Sequence, residues 1–183
     1  DGKKLGSDDA PIKLMMFEDF QCPFCLRFTA EDEPGLIEEY VLTGKVQLEF
    51  VNFPVLGVES IQAAIASECA ADQDLFWEYH KELFALQADE GQDVREVVNQ
   101  GRFDLEGLQN LAELAGLDRE AFDACIESGE KVAVVDDQRT AGRAAGIRGT
   151  PGFLANGAIL GERGSDPGGA AQWRATLDRL LEE

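Results

Sequence analysis

The apolar run Ile12, Leu14, Met15, Met16 and Phe17 is nearly continuous, which predicts a strand covered on both faces. Residues Asp1 to Asp9 ahead of it are polar and charged and predict a loose N-terminal arm. After Cys22 the pattern is helical to about Thr43 and Gly44, with an interruption expected at Pro34 and Gly35, because proline lacks the N–H and crowds the preceding turn. Val46, Leu48 and Phe50 then alternate with Gln47 and Glu49, the period of a second strand. Strand, helix and strand at this length make a βαβ unit with a right-handed crossover.

From Glu59 to about Ala145 every strong pattern is helical. Ile61, Ile65 and Cys69 recur at i, i+4 and i+8, Phe76, His80, Leu83 and Phe84 continue an apolar face, and Leu105, Leu108, Leu111 and Ala112 mark a further helix. Asp118 is a predicted N-cap, with Leu117 and Phe122 at the spacing of a hydrophobic staple, and Phe122, Cys125 and Ile126 share one side of the helix that follows. Strand returns at Gly152-Phe153-Leu154-Ala155. Asn156-Gly157 then predicts a tight turn with positive φ at both positions, and Ala158-Ile159-Leu160 runs back as its partner. Gly164 to Gly169 read as a loop, and Ala170 to Leu181 as a closing amphipathic helix with Trp173, Leu177, Leu180 and Leu181 on its apolar side.

Composition narrows the function classes. The 183 residues suit one domain, or one domain with a large insertion, and 44% hydrophobic content is enough for a core. Against 36 acidic residues stand 16 Lys plus Arg, a formal charge of −20. Such a surface repels nucleic acid and anionic lipid, so neither is expected as a partner. No stretch approaches the roughly 18 apolar residues of a membrane span, so membrane insertion of this chain is not expected. The chain starts at Asp1 without a signal peptide, and a leader or anchor is expected upstream of it. Four cysteines, an even number, fit an oxidising compartment better than a reducing one.

Two of them carry the candidate chemistry. Cys22-Pro23-Phe24-Cys25 sits where the first strand gives way to a helix, and the first helical turn leaves N–H groups unpaired under about half a positive charge of macrodipole. A thiolate is favoured there, so Cys22 is expected to be acidic, with Cys25 one turn deeper and able to attack a mixed disulfide at Cys22. Pro23 suits the first turn because its N–H would be unpaired in any case. Zinc would need a second ligand pair at ligand-like spacing, which Cys69, Cys125 and the single histidine His80 do not supply, so no metal is expected. Phe24, at the rim of the motif, is a candidate grip for apolar substrate segments.

With the helical block set aside, βαβ followed by ββα remains, with C-x-x-C at the first strand-to-helix junction and Thr150-Pro151 before the penultimate strand. The chain therefore resembles the thioredoxin fold. The stretch Phe17 to Cys25, Phe76-Trp77-Glu78-Tyr79-His80 and Gly149-Thr150-Pro151 together resemble the DsbA-like thiol–disulfide oxidoreductases, over about Lys4 to Leu181. The expected fold class is α/β, a central mixed sheet with an inserted all-helical subdomain: residues 10–56 and 146–183 form the thioredoxin-fold parts and 57–145 the insertion. The resemblance implies that Cys22 is the nucleophile, Cys25 the resolving cysteine and Pro151 a cis-proline facing them. It further implies that Thr150 offers backbone hydrogen bonds to an extended substrate segment, as an added strand would receive them.

The implied activity is exchange of the Cys22–Cys25 disulfide with dithiols of substrate proteins, as an oxidase for extracytoplasmic folding, periplasmic, secreted or anchored. The redox-active disulfide itself serves in place of a cofactor, and a membrane partner restores it. Two departures temper this. Relatives often carry an acidic residue six positions before the first cysteine, where this chain has Met16; Glu18 and Asp19 are candidates for proton handling instead, or else begin a solvent-facing loop. Phe24 stands where the best-known oxidant has histidine, which implies a milder oxidant. A reductase or isomerase on the same fold, a copper(I)-binding assembly protein and a non-catalytic chaperone are the alternatives.

Cys69 and Cys125 both fall on apolar helix faces. A structural disulfide between them and two free buried thiols are both compatible with the pattern. His80, flanked by Phe76 and Phe84 at i±4, reads as a packed residue without a catalytic partner.

Overall fold

The computed structural model describes residues 2–89, 98–161 and 167–182. Its sheet has five strands in the order β1-β3-β2-β4-β5: β1 (Lys4–Leu5), β2 (Ile12–Glu18), β3 (Val46–Asn52), β4 (Gly152–Ala155) and β5 (Ala158–Ile159). β2 and β3 run parallel from Ile12↔Val46 to Glu18↔Asn52, while β1, β4 and β5 are antiparallel to their neighbours. The parallel pair is joined by α1 (Pro23–Glu31), α2 (Glu33–Leu36) and a π-helical turn over Ile37–Val41. The break falls at Asp32, two residues before Pro34, which cannot donate to the carbonyl four residues back.

Among the described residues, five helices separate β3 from β4: α3 (Val58–Ala71), α4 (Phe76–Asp89), α5 (Leu105–Leu114), α6 (Arg119–Ser128) and α7 (Lys131–Ala144). The helical stretch expected from Glu59 to about Ala145 includes residues 90–97, which lie outside the described residues. Asp118 caps α6 by accepting from the Ala121 N–H at 2.8 Å, with Leu117 and Phe122 both buried beside it. Asn156 and Gly157 turn β4 into β5 with φ of 49° and 80°. Of the loop expected at Gly164 to Gly169, residues 164–166 lie outside the described residues. Helix α8 (Ala170–Glu182) closes the chain by burying Trp173 and Leu177. Among the described residues no helix is long and apolar enough to cross a membrane.

The larger core lies on the face of the sheet that carries Ile12, Leu14, Met16, Phe50 and Phe153, under α1, α8 and the inserted helices. Phe17, Val51, Phe53 and Leu154 cover the other face, against Ile147. Helix α7 approaches that face closely at Gly142, where an added Cβ would stand 2.8 Å from the Phe53 ring. The N-terminal arm is not loose: Lys4 and Leu5 pair with Glu49 and Leu48, and Lys3 reaches the buried Glu68 carboxylate at 2.6 Å. A two-residue strand leaves no period in the sequence; its partner strand defines it. Gln47, alternating like a solvent-facing residue, is buried because its amide donates to Asp8 at 2.6 Å.

Candidate active site

β2 and β3 end together at Glu18 and Asn52, and the chain from Asp19 to Gln21 turns over this edge into α1. Two buried residues fix the turn. Asp19 accepts from the Gln21 N–H through one carboxylate oxygen and from the Val55 and Leu56 N–H groups through the other, at 2.7–3.0 Å. The Gln21 amide donates to Ser60 and accepts from the Asn99 N–H. Asn99 also accepts from the Glu59 N–H and donates to the Leu56 carbonyl, so one polar network ties the turn to the start of α3. Sequence reasoning missed Gln21, Asn99 and Glu59, because their partners lie some 40 to 80 positions away.

Cys22 is the N-cap of α1, with extended backbone, and Pro23 occupies the first turn. Both cysteines are free thiols and both are buried, Cys22 at 4% exposure and Cys25 at 0%. Their proton affinities diverge. A hydrogen bond from the Cys25 side chain is the largest influence on Cys22 and, with the Thr150 side chain and the N–H groups of Cys25 and Phe24, brings it down to about 7 against the pull of burial. Burial pushes Cys25 well above the ordinary thiol range, with the Cys22 side chain and the Glu18 charge adding to it. As a thiol, Cys22 makes no cap bond and donates to the Thr150 carbonyl at 3.3 Å; the helical N–H groups serve its ionised form.

Thr150-Pro151 forms the opposite wall, and its peptide bond is cis. The antiparallel register of β2 and β4 ends at Phe17↔Gly152; one step further sets Pro151 beside Glu18. Phe24 projects outward, 57% exposed, with the Arg27 guanidinium 5.6 Å from its ring centre. Val55 and Val58, next to the Asp19 clamp, are exposed as well, which gives the site an apolar rim.

Glu18 and Asp19 do not begin a solvent-facing loop: they are 0% and 1% exposed, held at the covered end of the sheet. Burial raises Asp19 above its ordinary value even though its clamped N–H groups pull the other way. His80 is packed among aromatic rings, 3% exposed, and its Nε2 lies 3.9 Å from a Glu18 carboxylate oxygen. The pair is not a salt bridge. Burial takes His80 down to about 3, so its ring is neutral, and 3.9 Å exceeds hydrogen-bond length.

The sequence profile of a family described as thioredoxin matches residues 2–179. A probable disulfide bond formation protein D of Bacillus anthracis is 35% identical over 159 residues, which span 85% of this chain and 70% of that protein. The chain belongs to the DsbA-like thiol–disulfide oxidoreductases of the thioredoxin family. Crystallised BdbD from Bacillus subtilis, in its oxidised form, superposes on this DsbA-like chain with a TM-score of 0.80 and 26% identity, covering 99% of this chain and 93% of that one. DsbA from Chlamydia trachomatis has the same fold, with a TM-score of 0.80 at 19% identity and coverage of 98% and 91%. This DsbA-like enzyme has one C-x-x-C, at Cys22 and Cys25. Its other two cysteines are bonded to each other, Cys69 on α3 to Cys125 on α6, with Cα atoms 5.8 Å apart.

Proposed function

We propose that Cys22 is the sulfur attacked by substrates and Cys25 the resolving sulfur, in an enzyme that introduces disulfides into extracytoplasmic proteins. The reading is carried by the asymmetry of the pair: two thiols one helical turn apart, one drawn down to about 7 and the other pushed far up by complete burial. A substrate thiolate attacks Cys22 Sγ; the Cys22–Cys25 bond breaks, and Cys25 departs with its electron pair and takes a proton. The second substrate thiolate then attacks its own sulfur bound to Cys22, which forms the substrate disulfide and releases Cys22 as a thiolate. Two electrons thereby pass from the substrate dithiol to the enzyme. A disulfide-bearing partner takes them up again, and no further cofactor is needed.

Glu18 is assigned as the proton partner of Cys25, because its charge bears on that thiol and it is the last residue of the strand that leads into the motif. Asp19 is assigned to holding the loop, since both its oxygens already accept backbone N–H groups. Thr150 and Pro151 form the wall against which an extended substrate segment pairs, with Pro23 and Phe24 at its apolar edge. The names of the relatives support oxidation as the direction.

Equilibration in graded glutathione buffers, followed by thiol alkylation, tests the direction. An oxidase predicts a midpoint of roughly −120 to −180 mV, whereas a value near roughly −270 mV identifies a reductase. Cys22→Ser is expected to lose exchange entirely; a chaperone would keep its holding effect.

A further inference from the structure

His80 is 3% exposed on α4, its ring caged by Phe20, Phe50, Phe76, Trp77 and Phe84 at centroid distances of 4.9–5.9 Å. Among the described residues its Nε2 has no hydrogen-bond partner. Leaving such a nitrogen unpaired in an apolar cage costs about 1–3 kcal/mol, and a phenylalanine would fill the same space without that cost. Packing therefore does not account for the residue type. The polar group that Nε2 faces is Glu18, 3.9 Å away, whose charge also bears on Cys25.

We propose that His80 is a positioning residue for the proton that passes between Cys25 and Glu18, its Nε2–H closing onto the Glu18 carboxylate while that carboxylate is ionised. The inference rests on Glu18 being the proton partner of Cys25, as proposed above. During reoxidation the Cys22 thiolate first attacks a partner disulfide, whose S–S bond breaks: one partner sulfur joins Cys22 and the other leaves as a thiolate. The Cys25 thiol gives its proton to the Glu18 carboxylate, and its sulfur attacks Cys22 Sγ. The Cys22–Cys25 bond forms, the bond between Cys22 and the partner breaks, and the partner sulfur leaves with the electron pair. With substrate the proton moves the opposite way, from Glu18 to the departing Cys25.

A neutral imidazole suits this task. Its N–H donor favours the charged carboxylate, in a place where burial works against charge. A movement of about 1 Å brings 3.9 Å to the ordinary length near 2.9 Å. The titratable groups beside the pair are Cys25 from α1, on which the Glu18 charge bears, and Glu33 from α2, which shares a groove with His80; Asp19 follows Glu18 in the chain, and Cys22 precedes α1 as its N-cap. Lys81, on α4 itself, lines with His80 and Glu33 an open groove of about 470 Å³ between α1 and α4.

The test is the pH dependence of ring closure, followed by rapid mixing of the reduced protein with oxidised glutathione. His80→Phe is expected to move the rising limb up by about one pH unit, roughly a tenfold loss of rate on that limb, because the lost donor is a charge-assisted bond. His80→Gln, which retains an N–H donor, is expected to restore the wild-type profile. A His80→Phe profile that coincides with wild type, or a His80→Gln profile displaced as far as His80→Phe, overturns the inference. Glu18→Gln separates the two levels: if it flattens the profile while His80→Phe does not, only the role of His80 falls; if it changes nothing, the reading of Glu18 falls first. Should His80→Phe not fold, the imidazole ¹⁵N resonances of the wild-type protein decide. An Nε2 shift that differs between dithiol and disulfide forms supports the contact, and one that does not change overturns it.

Discussion

Cys22 and Cys25 share one helical turn, yet the helix end serves one thiolate and the core suppresses the other. Cys25 is the largest single reason that Cys22 is acidic, ahead of the N–H groups of the helix end. Cys25→Ala is therefore expected to move the titration of Cys22 upward from about 7 toward the ordinary thiol value, seen as thiolate absorbance or alkylation rate against pH. The sign follows from the hydrogen bond, which favours the charged sulfur; a midpoint unchanged in Cys25→Ala would assign the acidity to the helix alone. The motif was legible from its spacing and its strand-to-helix position. Glu18 was legible only as a candidate. It stands two residues after Met16, so the two share a face of β2. His80 was read as packing because its aromatic neighbours lie at i±4, whereas the residue it faces is 62 positions away, beyond any local pattern.

At the level of elements, local rules carried most of the reading. Asp118, the Leu117 and Phe122 pair and the Asn156-Gly157 turn behave as their spacing requires, because each involves only groups within a few residues. Asp118→Ala is expected to cost about 1 kcal/mol of stability, from the lost cap to Ala121, with no change in redox midpoint. Denaturant unfolding beside a glutathione titration measures both. What local rules did not reach was long-range pairing. β1 exists because Lys4 and Leu5 find Glu49 and Leu48, and Gln21 is buried because it finds Ser60 and Asn99. The break at Asp32 was foreseen from Pro34, but the π-helical turn that follows has no sequence signal of its own.

For the molecule as a whole, a disulfide outside the C-x-x-C motif joins the inserted helices. Cys69 and Cys125 link α3 to α6 across 56 positions, and closing so long a loop restricts the unfolded chain enough to stabilise by up to about 4 kcal/mol. Cys69→Ala is expected to lower the thermal midpoint and leave the rate of disulfide transfer near that of wild type. Lost activity in a folded Cys69→Ala protein would mean that the second pair takes part in exchange. The central claim concerns the first pair, and trapping tests it most directly. Cys25→Ser, mixed with a reduced substrate protein under mild oxidation, should accumulate a mixed disulfide that mass spectrometry locates at Cys22. An adduct found at Cys25 in the reciprocal Cys22→Ser protein, or none at Cys22, would contradict the account.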